Sequence, residues 1–359
     1  MGKKVVSIFK KFLAISFAVI LSAGSFVACN GKEQCDSCGN ELAKGEYEVC
    51  NTCATGNKET LNGKKIIFIG NSYTYYGQTV LEKNQSVLDQ ASRSNDEGYF
   101  YQLCKDNGVE VNVTNWTFGG HSLQHLFGGS CAADRGCDGV DHASYLTDRN
   151  YDFVVIQSGN GAYWDGVGVQ NIKMVMDFFQ AGNPNTKFVL LVPYSFYGEI
   201  GSPTNIYLMK NYLNNLKTLA KQGAIVVDWG GLVMDILNKK VQVPNTTLQY
   251  TKNTFVVAKS AQDGYHPNLL SGYITTLMTY CAITGAKAKG KTYDFCNDAS
   301  LNDKFAKAEW FSFQGFKDKY YMFGSTNFIE IFSSKNDMRG IQGLIDKHLA
   351  AKAYMNYNY

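Results

Sequence analysis

Ser72 stands in the run Gly70-Asn71-Ser72-Tyr73-Thr74, directly after the apolar stretch Lys65-Ile66-Ile67-Phe68-Ile69. A serine hydroxyl is a poor nucleophile, so covalent catalysis through it needs a base within hydrogen-bond reach and a third group that orients the base. The chain supplies a matching pair in Asp263-Gly264-Tyr265-His266. Three-residue spacing lets a turn or the start of a helix carry carboxylate and imidazole on one side. There Asp263 would hold the tautomer of His266, and His266 would take and return the Ser72 proton. The chemistry so assembled is acyl transfer with no cofactor.

Gly70-Asn71-Ser72 after the first apolar run, together with Asp263-x-x-His266-Pro267-Asn268 late in the chain, resembles the first and last sequence blocks of the SGNH (GDSL-type) hydrolases. The two blocks occur in the family's order. The resemblance implies an oxyanion hole made from the serine N–H, a glycine of a second block and a polar side chain of a third. Asn115-Trp116-Thr117-Phe118-Gly119-Gly120-His121-Ser122 is similar to the second block and makes Gly120 the match, with Thr117 where a glycine is usual. The third block departs from the usual pattern. In Ile156-Gln157-Ser158-Gly159-Asn160-Gly161 either Asn160 or Gln157 would be the donor.

These groups need a scaffold that brings distant segments to one place. Short β-rich apolar runs at 65–69, 110–114, 153–157, 188–193 and 225–228 alternate with helix-like segments at 99–107, 170–180, 206–222 and 269–283. Apolar runs without strict alternation read as parallel strands buried on both faces, and strand–helix alternation reads as α/β. The expectation is a three-layer α/β/α domain over 62–290. The resemblance implies a flavodoxin-like order 2-1-3-4-5, whose switch point puts the ends of the first three strands side by side.

Around the pocket, Tyr73, His121, Trp164 and Tyr194 are candidate substrate contacts, the aromatic rings being able to stack on sugars. His121 and His125 share helical spacing but have no carboxylate or third histidine beside them in sequence, so they read as pocket wall and not as metal ligands. A G-x-S-x-G elbow, H-E-x-x-H, a P-loop and a G-x-G-x-x-G fingerprint are all absent.

The amino terminus predicts export. Lys3, Lys4, Lys10 and Lys11 precede the apolar run Phe12 to Leu21, and small residues lead to Val27-Ala28-Cys29. That is a signal peptide over 1–28, and its end resembles a lipobox, with Cys29 lipidated and the chain held on the outer face of a bacterial membrane. The alternative is an ordinary cleaved signal with Cys29 incidental. Removing those lysines turns the formal net charge of +3 into −1, which leaves no electrostatic footprint for nucleic acid.

Cys35-x-x-Cys38 and Cys50-x-x-Cys53, eleven residues apart, look like a zinc ribbon over 30–57. Two such knuckles supply the four thiolates of a closed tetrahedral site, so zinc there would be structural. Two disulfides are the competing reading, since the exterior is oxidising. Cys131 and Cys137 flank a loop and could pair, whereas Cys104 and Cys281 lie in apolar helical contexts and read as buried thiols. The aromatic-rich stretch 291–359 reads as an extension packed on the main domain.

The expected activity is hydrolysis of an ester, including O-acetyl groups on a polysaccharide. The alternatives are a lipase or thioesterase on the same scaffold, or a surface lipoprotein that binds glycans without turnover.

Overall fold

A computed structural model describes Cys35, Cys53 and residues 56–81, 93–129, 139–157, 166–194, 216–256, 266–297 and 331–352. The chain divides into two compact units, Met1–Asn51 and Thr52–Tyr359. In the first, Cys35 is buried. The second unit holds the sheet.

Its principal elements are β1 (Lys64–Gly70), α1 (Ser72–Tyr75), α2 (Tyr99–Asp106), β2 (Val111–Thr117), α3 (Leu123–Phe127), β3 (Phe153–Gln157), α4 (Gly166–Gln180), β4 (Lys187–Leu191), β5 (Ile225–Val227), α5 (Trp229–Leu237), α6 (Lys252–Phe255), α7 (Leu269–Thr284) and α8 (Lys335–Ala351). The five strands are parallel in the order β2-β1-β3-β4-β5. This is the α/β architecture and strand order expected above. α2 and α7 pack together, as do α3 and α4.

The strands are apolar throughout because both faces are covered: Ile66, Ile67, Phe68 and Ile69 of β1 are all fully buried. Phe68 meets Phe100 of α2 edge to face at 5.2 Å, joining the central strand to its crossover helix. Register sets Gly70 against Thr117, and Ile69 against Ile156, so the carboxyl ends of β2, β1 and β3 lie side by side.

The helix boundaries follow local chemistry. Asn268 caps α7 by accepting from Leu270 N and Ser271 N at 3.1 and 3.2 Å, and Gly285, in the left-handed region, ends it. Nearly every residue of α7 is buried. Two of its threonines hand their hydroxyls back to carbonyls one turn earlier, Thr275 to Ser271 and Thr279 to Thr275, whereas Thr276 Oγ1 and Tyr280 Oη are buried without a partner among the described residues.

Two helices depart from the sequence reading. The apolar run at 225–228 continues past Asp228 as α5, with Asp228 at its N-cap accepting from Gly231 N at 3.0 Å. Within the aromatic-rich carboxyl stretch, α8 buries Met338, Ile341, Leu344 and Ile345 and packs against α7 and α5. Of the expected helix at 206–222, the described part is helical at 216–221, with Leu216 and Leu219 buried.

Candidate active site

Ser72 is the first residue of α1, at the carboxyl end of β1, and His266 lies just before α7. Their separation in sequence is 194 residues, yet His266 Nε2 is 2.9 Å from Ser72 Oγ. With the imidazole neutral and Nδ1 protonated, the Ser72 hydroxyl donates to Nε2, which is the ground state for general-base attack. Both residues are half-buried amid buried neighbours, so solvent and a small substrate reach them.

Backbone packing sets this distance. A Cβ on Gly272, in the first turn of α7, would lie 1.6 Å from the carbonyl oxygen of Gly77, just past α1. Only hydrogen fits at either position, and the two main chains touch there. The His266 side of the contact is further pinned through Asn268, whose amide donates to Thr254 O at 2.8 Å and whose N–H donates to Phe255 O at 3.1 Å. Ser271 Oγ also donates to Phe255 O, at 2.6 Å.

The turn after β2 is clamped to the Ser72 turn. Phe118 N donates to Gly70 O at 3.0 Å, and Asn71 Nδ2 donates to His121 O at 3.1 Å while Asn71 Oδ1 accepts from Tyr73 N at 3.2 Å. One amide side chain therefore caps α1 and ties down the second turn. Gly120 adopts φ +73°, which a side chain rarely adopts, with open space where a Cβ would stand. The N–H groups of Ser72 and Gly120 have no hydrogen-bond partner among the described residues.

Gln157 ends β3 beside the Ser72 turn, its Cβ 3.2 Å from where a Gly70 side chain would begin. It is 1 % exposed, and neither Nε2 nor Oε1 has a partner among the described residues. A buried amide left unpaired costs roughly 1–3 kcal/mol, an expense that calls for a reason. The rival donor Asn160 lies outside the described residues, as do Asp263 and Trp164.

The other pocket candidates are distributed unevenly. Tyr73 and Tyr194 are 4 % and 1 % exposed and meet edge to face at 5.9 Å, with Tyr194 continuing onto Trp229. Both rings pack against their neighbours, and Tyr73 also lies 5.7 Å from the His266 ring. Tyr76, which the sequence pattern did not single out, lies face to face on the His266 ring. Asn71 and Asn268 belong to the sequence motifs, and their work as clamps emerges from three-dimensional partners.

His121 is half-buried next to Gly120, with Nδ1 2.8 Å from Gly119 O. The fold brings it a third histidine that spacing could not show: the rings of His121 and His142 are 4.9 Å apart, and His125 lies 6.1 Å from His121. No group of three or more His, Cys, Asp or Glu among the described residues is placed to hold a metal. Cys104 and Cys281 are buried free thiols, and burial pushes both thiols well above their ordinary range. Cys53 is half-buried, while Cys29, Cys38, Cys50, Cys131 and Cys137 lie outside the described residues.

No family model matches this chain, and no curated protein matches it. Solved structures similar to it include a catalytic mutant of an acetylxylan esterase from Geobacillus stearothermophilus, at 16 % identity and TM-score 0.40, covering 63 % of this chain and 96 % of that one. A DUF4886 family protein from Bacteroides uniformis is similar at 12 % identity and TM-score 0.48, covering 80 % of this chain and 95 % of the other. An alpha/beta hydrolase enzyme from the metagenome of Lake Arreo, Spain, is similar at 16 % identity and TM-score 0.41, over 63 % of this chain and 96 % of that one.

Proposed function

We propose that this chain is a serine esterase that works through an acyl-enzyme. The observation that carries this reading is the 2.9 Å approach of His266 Nε2 to Ser72 Oγ at the carboxyl ends of the central strands. As Ser72 Oγ bonds to the ester carbonyl carbon, its proton passes to His266, with Asp263 holding the imidazole. The oxyanion takes hydrogen bonds from the N–H groups of Ser72 and Gly120 and from an amide side chain. For that third donor the buried, unpaired amide of Gln157 favours it over Asn160. Collapse expels the alcohol, which receives the proton from His266. Water activated by the same imidazole then releases the acid.

The proposal extends to the amino terminus. Cleavage before Cys29 and its lipidation would anchor the enzyme on the outer face of the membrane, facing polysaccharide esters. Four thiols at two-residue spacing suit a tetrahedral zinc ion, and Cys35, Cys38, Cys50 and Cys53 would hold it as a structural element. Short-chain nitrophenyl ester hydrolysis by the protein and by its Ser72→Ala variant tests the central reading. Equal rates defeat it.

A further inference from the structure

Tyr76 closes α1 at its C-cap, and its N–H donates to Ser72 O at 2.9 Å. One helical turn thus carries the nucleophile at its start and an aromatic ring at its end. That ring lies on His266 with centroids 3.8 Å apart and planes 9° from parallel. Tyr73, from the same turn, stands off at 5.7 Å and 45°. Both partners of the close stack are half-buried, so the contact forms part of the open site and not of the core.

Two neutral aromatic rings prefer offset or edge-to-face arrangements over a sandwich, so this stack is a mediocre one for a neutral imidazole. An imidazolium changes the sign of the argument: a cation over the negative face of a phenol ring is attracted by its quadrupole. In the proposed reaction His266 becomes a cation as it takes the Ser72 proton. An interaction stronger in that state than in the ground state lowers the barrier, whereas one equal in both does not. The stack also limits rotation of the imidazole about its bond to the main chain, which keeps Nε2 aimed at Ser72.

We infer that Tyr76 is a positioning residue for His266: its ring face holds the imidazole in line with Ser72 and favours the charged form reached in the transition state. This rests on the reading of Ser72 and His266 as nucleophile and base. Ordinary packing predicts otherwise, because an aliphatic side chain of similar volume would then serve as well.

The test compares Tyr76→Leu, Tyr76→Met and Tyr76→Phe with the native protein. For a short-chain ester, the aliphatic variants should lose roughly ten-fold in kcat with KM nearly unchanged, and Tyr76→Phe should retain kcat. Proton NMR of histidine-labelled protein adds a readout independent of turnover. The Cε1 proton of His266 should be shifted upfield by the ring current in the native protein and in Tyr76→Phe, and lose that shift in whichever aliphatic variant folds. Full kcat in an aliphatic variant, loss of kcat in Tyr76→Phe, or no ring-current shift in the native protein would each overturn the inference. Ser72→Ala, run alongside, separates the two levels. Activity surviving that substitution defeats the serine reading itself, whereas activity lost there but kept in Tyr76→Leu defeats only the role of Tyr76.

Discussion

His266 and His348 each place Nε2 beside an oxygen, 2.9 Å from the Ser72 hydroxyl in one case and 3.2 Å from Asp228 Oδ2 in the other. The surroundings are opposite. His348 reaches from α8 to the end of β5 and is 9 % exposed, and Asp228 is 1 % exposed with its second oxygen capping α5. Burial pushes the His348 imidazole down, but the hydrogen bond and charge of Asp228, with Asp235 beyond it, outweigh burial and hold it above its ordinary value. At the Ser72 end, two backbone N–H groups and the Gln157 amide are left without partners among the described residues. Stability is built where charges are satisfied in the folded chain. In the proposed reaction, donors at the other end are held ready for a charge that exists only during turnover.

Substitutions in the two regions should therefore move different observables. Ser72→Ala is expected to lower kcat by about ten-thousand-fold or more while leaving thermal unfolding unchanged, read by ester turnover and a melting curve. His348→Leu leaves Asp228 buried without its charged partner and should cost about 3–5 kcal/mol in urea unfolding, with kcat unaltered in the folded fraction. A coupled loss of turnover would show that the two ends are not independent.

Gln157→Met sharpens the contrast within one residue. Removing an unpaired buried amide should leave stability equal or slightly higher, while the missing oxyanion donor costs about 3 kcal/mol of barrier, roughly a hundredfold in kcat. Unchanged turnover would assign the orphaned amide to something other than the reaction.

The smallest expected effect concerns pH. A histidine whose folded value is raised stabilises fully below its ordinary pKa of about 6.5, and that contribution is lost as pH rises through the raised value. The Asp235 carboxyl, raised by burial despite His348 and Lys240 nearby, carries the same sign over a window that opens at the ordinary carboxylate value. Unfolding free energy should thus fall as pH rises through the raised His348 value, and His348→Leu should flatten that slope. A native profile that rises over this interval would contradict the sign.

Most of the sheet was legible because its strands are buried on both faces and so are apolar without interruption, as at Ile66 to Ile69. The helix after His266 was legible because Pro267 marks its start in chemistry that acts locally. What stayed hidden depends on partners far away in sequence. α8 contains Gly340 and Gly343, each about 1 kcal/mol unfavourable in a helix, and its pattern is weakened accordingly. Gly340 is there because a Cβ would stand 2.6 Å from Val243 Cγ1, a contact no local reading contains. α5 was hidden for the opposite reason: Trp229 to Ile236 are buried all round and show no polar face to give a helical period. In the site, Ser72, His266 and Gly120 carry motif signals, whereas the stack of Tyr76 and the isolation of the Gln157 amide arise only from packing.

The contact of Gly77 with Gly272 sets two free energies against each other at one carbon atom. Alanine is the better helix former, so Gly272→Ala should strengthen α7 on its own by about 1 kcal/mol. The same methyl would meet a carbonyl oxygen at 1.6 Å and force the helix away from α1. Neither Ser72 nor His266 would be altered, and their separation would still widen. The distance between Ser72 and His266 is thus a heritable length, adjustable by a residue that is neither of them.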